Sequence, residues 1–126
     1  MKNKLVIKKC KQCGAMVNVL IDCTCNDCGI KCCGEEMVEL VPNSVDASFE
    51  KHLPVYEKVE DEVFVTVNHV MEKEHFIEWI ALVTDNKQCI RKLYPEQNAE
   101  VRFKYIPGSS IYAFCNKHGL WKTDVE

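Results

Sequence analysis

The sequence predicts a mainly β protein in two parts, a small Cys-rich head followed by a β-sandwich or barrel. Three observations carry that prediction. Nine cysteines occur in 126 residues, and seven of them lie between Cys10 and Cys33. From about Phe49 onward the chain turns to β-branched and aromatic residues in short runs. Turn-forming residues separate those runs at regular spacing, and nothing carries the period of a long amphipathic helix.

The head spans residues 1–39 and the larger part residues 40–126, with Pro42, Asn43 and Ser44 as a turn between them. In the larger part "EVFVTV" (62–67) is rich in Val, Thr and Phe, a strand composition. "FIEWIALV" (76–83) reads as a buried or half-buried strand. "EVRFKY" (100–105) alternates, with Val101, Phe103 and Tyr105 on one face and Glu100, Arg102 and Lys104 on the other. "IYAFC" (111–115) is a further strand. Turns are expected at "TDNKQ" (84–88), "YPEQN" (94–98) and "PGSS" (107–110).

The bulk properties exclude several classes. The net charge is −3 with both signs interspersed, so no basic stripe offers itself to nucleic acid. No apolar run approaches the about 20 residues of a membrane span. The N-terminal "MKNKLVIKKC" has neither the apolar length nor the cleavage site of a signal peptide. The expectation is a cytoplasmic protein with no membrane partner. An odd cysteine count in a reducing compartment points to metal ligation rather than a disulfide framework.

"CKQC" (10–13) lets two thiolates reach one metal, and a second pair must close a tetrahedral site. Two pairs compete. Cys25 and Cys28 in "CNDC" give the layout of two CxxC pairs, which spacing alone favours. Cys32 and Cys33 are adjacent, so the backbone must bend to aim both sulfurs inward. The flanking residues favour the adjacent pair: "IKKCKQCGAMVNVL…KCCGEEMVEL" resembles desulforedoxin over residues 6–40, including Gly14, Gly34 and Met37. That resemblance implies Cys10, Cys13, Cys32 and Cys33 around one iron, with zinc as the alternative metal, since a four-thiolate site accepts either. "DCTCNDCGI" departs from the family, which has a glycine-rich turn there, so Cys23, Cys25 and Cys28 are additions.

The chain's four histidines are His52, His69, His75 and His118, all outside the head. Singly each reads as a surface or hydrogen-bonded residue. "EKHLPV" (50–55), "NHVMEKEHFIEWI" (68–80) and "CNKHGLW" (115–121) together resemble the superoxide reductases, called desulfoferrodoxins when a desulforedoxin head precedes the catalytic domain and neelaredoxins when it does not. The motifs occur in the family's order across most of residues 48–122. The resemblance implies an immunoglobulin-like β-sandwich. It implies an iron held by His52, His69, His75 and His118 in an equatorial plane, with Cys115 as axial thiolate and an open position for substrate.

The same resemblance implies reduction of superoxide to hydrogen peroxide, re-reduction by a rubredoxin-like donor, and a homodimer paired through the heads. It places Lys51 near the open position, favouring an anionic substrate, and lets Glu50 occupy that position in the resting ferric state. Cys89 reads as a half-buried strand residue, Trp79 and Trp121 as core or site-wall aromatics, and Lys73 and Lys117 as solvated charges. The competing function is a non-catalytic electron-transfer protein of the rubredoxin or desulforedoxin type. A zinc-binding interaction module and a disulfide-rich structural protein are further rivals.

The choice between the two cysteine pairs is testable by metal content. If the adjacent pair ligates, Cys32→Ser/Cys33→Ser loses the head metal and Cys25→Ser/Cys28→Ser keeps it; the reverse pattern would assign the site to the CxxC pair.

Overall fold

The computed structural model describes residues 3–26 and 29–126. The chain divides into two compact units, Leu5–Val41 and Pro42–Glu126, the latter joined by Asn3 and Lys4.

The smaller unit is built from short strands. β1 (Ile7–Lys9) is the centre of a three-stranded antiparallel sheet, flanked by β2 (Met16–Asn18) and β5 (Val38–Glu39). β3 (Lys31–Cys32) and β4 (Glu35–Glu36) form a separate hairpin. Leu5, Ile7, Cys10, Val19 and Met37 are its buried apolar residues. So small a core is the usual setting in which a bound metal contributes to folding.

The larger unit is the expected β-sandwich. One sheet has the order β10-β7-β6, formed by Glu100–Lys104, Glu62–Thr66 and Val55–Val59. The other has the order β12-β11-β8-β9, formed by Gly119–Asp124, Ser110–Cys115, Ile77–Val83 and Gln88–Lys92. All pairings are antiparallel. Val63 and Val65 of the first sheet pack in one cluster with Ile80, Leu82, Ile111 and Ala113 of the second. β8 and β11 are buried along nearly their whole length, as central strands covered on both faces must be.

The alternation expected in 100–105 is present. Phe103 is buried, Val101 and Tyr105 pack on the same cluster, and Glu100, Arg102 and Lys104 are exposed. The turn expected at 84–88 is one residue shorter. Thr84 N–H donates to the Lys87 carbonyl at 2.8 Å, and Gln88 already pairs with Val83. Cys89 is half-buried on β9, as read from the sequence.

The single helix among the described residues, α1 (Phe49–His52), is one turn long, and its Ser48 makes no side-chain cap. A helix that short has no stability of its own, so tertiary contacts hold it in place.

Leu82 is 1% exposed in the centre of this core. Leu82→Ala should lower the unfolding free energy by about 2–5 kcal/mol. Ile90→Ala on neighbouring β9, where the side chain is 41% exposed, should change it by under about 1 kcal/mol. Urea unfolding followed by tryptophan fluorescence reads both.

Candidate metal centres

Two groups of metal-ligating side chains stand out among the described residues. The first comprises His52, His69, His75, Cys115 and His118, whose donor atoms all lie within 4.8 Å of one another. They come from three separate segments, and each segment has its own local reason for aiming inward.

Cys115 ends β11. Phe114 pairs with Trp79 and Cys115 with Ile77, so Glu78 is the extra residue and β8 bulges opposite the step from Phe114 to Cys115. A bulge of this kind increases the local twist and ends the regular ladder at Cys115. A three-residue loop, 116–118, then leads into Gly119, which pairs with Cys115. Gly119 has φ +83°, a left-handed conformation that a three-residue hairpin loop calls for. Trp121 donates from Nε1 to the His118 carbonyl at 3.0 Å. Cys115 and His118 thus sit at the two ends of one tight loop, with Sγ and Nδ1 3.8 Å apart.

His75 follows a reverse turn in which Glu72 and His75 exchange backbone hydrogen bonds of 3.0 and 3.1 Å. Asn116 ties that turn to the Cys115 strand: its side-chain oxygen accepts from Phe76 N–H at 3.0 Å and its amide donates to the Glu74 carbonyl at 2.9 Å. Lys73, between these residues, is exposed, and so is Lys117. His52 ends α1 and is buried, its ring stacked on Trp121.

Two backbone carbonyls set the tautomers. His52 Nδ1 donates to Ser48 at 2.6 Å and His69 Nδ1 to Val70 at 2.5 Å. Each ring's Nε2 is left with a lone pair, the form that binds metal. His52 Nε2 lies 2.9 Å from His118 Nδ1, and His69 Nε2 lies 3.3 Å from Cys115 Sγ. Burial pushes the pKa of His69 and of His75 down, favouring neutral imidazole.

The four rings follow one another in a closed cycle, His52–His69–His75–His118. Neighbouring centroids are 4.6–5.1 Å apart and each ring is turned edge-on to the next. A cleft of about 490 Å³ is lined by all four histidines together with Lys51, Asp46 and Glu72. Cys115, fully buried, does not line it. The sulfur therefore lies on the protein side of the imidazole cycle and the cleft on the solvent side. Lys51 is exposed at this cleft; Glu50, also exposed, is not among its lining residues.

These residues fit a metal ion. His75 Nε2 is the one buried side-chain nitrogen or oxygen among the described residues without a hydrogen-bond partner. A buried nitrogen in that state costs about 1–3 kcal/mol unless something other than a hydrogen bond satisfies it. Imidazole and thiolate donors together suit a transition metal such as iron.

The second group is Cys10, Cys13, Cys32 and Cys33, again with donor atoms within 4.8 Å of one another. The CxxC turn closes with Gly14 N–H donating to the Cys10 carbonyl at 3.1 Å, and Gly14 has φ +79°. The adjacent pair solves its aiming problem at a two-residue hairpin. Cys33 has φ +54° and Gly34 φ +78°, the left-handed pair of a type I′ turn. That turn brings both sulfurs to one side, with Cys32 Sγ 3.6 Å from Cys13 Sγ and 3.9 Å from Cys33 Sγ.

The backbone N–H of Cys13, helped by that of Gln12, holds the Cys10 thiol down at about 7. Hydrogen bonding to Cys13 and Cys10 pushes Cys32 up to about 12. Four thiols cannot ionise side by side unaided, and a bound cation removes that opposition. Of the competing pair, Cys25 is not in this group and Cys28 lies outside the described residues.

Sequence reasoning missed the Ser48 and Val70 carbonyls, because backbone acceptors leave no mark in residue identity. It also missed Asn116, although its place directly after Cys115 was a usable signal. Asp46 and Glu72 at the cleft stand in no sequence pattern that singles them out.

Comparison with known proteins agrees with this geometry. Residues 44–124 match the desulfoferrodoxin family. The desulfoferrodoxin of Syntrophotalea carbinolica is 40% identical, with 98% of this chain and 99% of that one aligned. The desulfoferrodoxin of Nitratidesulfovibrio vulgaris is 38% identical over 99% of this chain and all of its own. Among solved structures, the superoxide reductase of Treponema pallidum superposes with a TM-score of 0.72 at 28% identity, covering 95% of this chain and 98% of that one.

Proposed function

The chain belongs to the desulfoferrodoxin family, and on that premise we propose that it reduces superoxide to hydrogen peroxide at the four-His, one-Cys centre. The observation that carries this reading is the two-sidedness of the site. Four imidazoles face a cleft that reaches solvent, while the fifth donor, Cys115, is fully buried behind them. A centre meant only to hold its metal is closed on every side, and one meant to meet a substrate keeps a side open. The name of the Treponema pallidum neighbour, a superoxide reductase matched over nearly its whole length, supports the same conclusion.

The protein is an oxidoreductase. His52, His69, His75, His118 and Cys115 would hold iron, which supplies the one-electron couple when bound. Superoxide takes up one electron and two protons to become hydrogen peroxide. The Ser48 and Val70 carbonyls keep His52 and His69 in the tautomer whose Nε2 carries the lone pair. Lys51 is the one lysine or arginine lining the cleft among the described residues and shares it with Asp46 and Glu72, so it acts locally on an approaching anion rather than through a broadly basic surface. Glu50, exposed one residue earlier and outside the cleft lining, would have to swing in to close the open side in the resting state.

In this reading residues 1–39 are an accessory domain in which Cys10, Cys13, Cys32 and Cys33 hold iron or zinc, and residues 40–126 are the catalytic domain. Electrons arrive from a rubredoxin-like carrier, the protein works as a homodimer, and its place is the cytoplasm. Among the described residues no helix is long and apolar enough to cross a membrane.

Two substitutions test the roles. Cys115→Ser, loaded with iron, should lose the thiolate-to-iron charge-transfer band and most of its superoxide reduction; undiminished turnover in an iron-loaded variant would refute the role of the thiolate. Lys51→Ala should slow the reaction with superoxide by roughly tenfold at low ionic strength and flatten its salt dependence. A variant with the parent's salt dependence would reduce Lys51 to a surface charge.

A further inference from the structure

We infer that Trp121 is a positioning residue for the five-donor centre, holding His52 and His118 against one buried indole. The inference rests on the metal-centre reading above and adds a residue that does not itself donate to the metal.

Trp121 lies on β12, directly across from Ala113 of β11, and is completely buried. It makes two different contacts with two different donor residues. Its face stacks on the His52 imidazole, with centroids 5.0 Å apart and planes 20° from parallel. Its Nε1–H donates to the His118 carbonyl at 3.0 Å. His52 and His118 are 66 positions apart in the chain, and their facing ring nitrogens are 2.9 Å apart. One rigid side chain thus spans both segments that deliver them.

The two segments need such a reference. His52 ends a helix of four residues with no side-chain cap, which cannot fix the ring's direction alone. Phe49, on the same turn, packs edge-on against Trp121 at 5.1 Å, so the indole anchors the helix at both ends. His118 closes a three-residue loop whose other end is Cys115. A buried indole N–H must find an acceptor, and here the acceptor is the backbone of a metal-ligating residue. Loss of that bond would loosen the loop that sets the distance between Cys115 Sγ and His118 Nδ1.

Trp79 provides an internal comparison. It is also buried, at 8% exposure, and also stacked, but on Phe114 at 5.9 Å rather than on a donor residue. A generic cost of removing a core tryptophan should therefore appear in both positions, and an effect on the metal in only one.

The test uses the full iron-loaded chain as parent, Trp121→Phe, Trp121→Leu and Trp79→Leu. Three readouts are taken: the thiolate-to-iron charge-transfer band, the rate of iron release to a chelator, and the thermal midpoint. Colour from the head is common to all four proteins and subtracts out. Trp121→Phe keeps a stacking ring and loses the N–H, so the band should shift with little change in release. Trp121→Leu loses both contacts and should release iron from this site roughly tenfold faster or more. Trp79→Leu should lower the thermal midpoint while leaving band and release rate at parent values.

Equal bands and release rates in Trp121→Leu and Trp79→Leu would overturn the inference and make Trp121 ordinary core. Should Trp121→Leu fail to fold, Trp121→Phe decides alone: an unshifted band overturns the inference. A parent without the charge-transfer band would overturn the metal-centre reading itself, which separates that failure from the failure of Trp121.

Discussion

Five lone-pair donors converging within 4.8 Å is the constraint around which the larger unit is organised. Ring nitrogens and a sulfur at such separations oppose one another, and His75 Nε2 is buried there without a hydrogen-bond partner. Protons can be shared within the His52–His118 and Cys115–His69 pairs, whereas one cation satisfies all five donors together. The β8 bulge opposite Cys115, the loop to His118, the Asn116 clamp on the His75 turn and the carbonyls behind His52 and His69 each help to hold a donor where a cation would need it.

The two centres meet the same electrostatic problem in opposite ways. In the head four thiols close around a point, and the strain of using neighbouring cysteines is taken up by Cys33 at φ +54° beside Gly34. A centre closed on all sides by its own ligands suits metal retention or electron transfer. In the sandwich the rigid partner is the buried Cys115, placed by a central strand, and the adaptable side is a cleft bordered by an exposed lysine and two acids. Rigidity behind and access in front are what a reacting centre requires.

Much of this was legible in the sequence, and the exceptions have physical causes. The strands at 62–67, 76–83, 100–105 and 111–115 announced themselves through β-branched and aromatic runs, and each is present within a residue or so. Val55–Val59 and Gly119–Asp124 did not. The first is mostly exposed and carries charges at Glu57 and Lys58, and the second begins inside a metal-binding loop, so neither shows a clean apolar period. Leu20 and Ile21, apolar residues just after Met16–Asn18, are 82% and 91% exposed, so hydrophobicity alone would overextend that strand. The five donors were found through three motifs taken together, because a Cys and a His three apart mean little alone. The adjacent cysteines could be read as a pair only from their neighbours; the turn that makes them converge depends on a left-handed non-glycine residue, which sequence periodicity does not reveal.

Reduction of superoxide at the open centre differs from electron carriage and from disproportionation in what is released. The most direct measurement is product stoichiometry under anaerobic conditions, with the iron-loaded, reduced protein mixed with superoxide. A reductase yields one hydrogen peroxide for each superoxide consumed by the protein and releases no dioxygen. Dioxygen released at half the superoxide consumed, or consumption no faster than without the protein, would contradict the account.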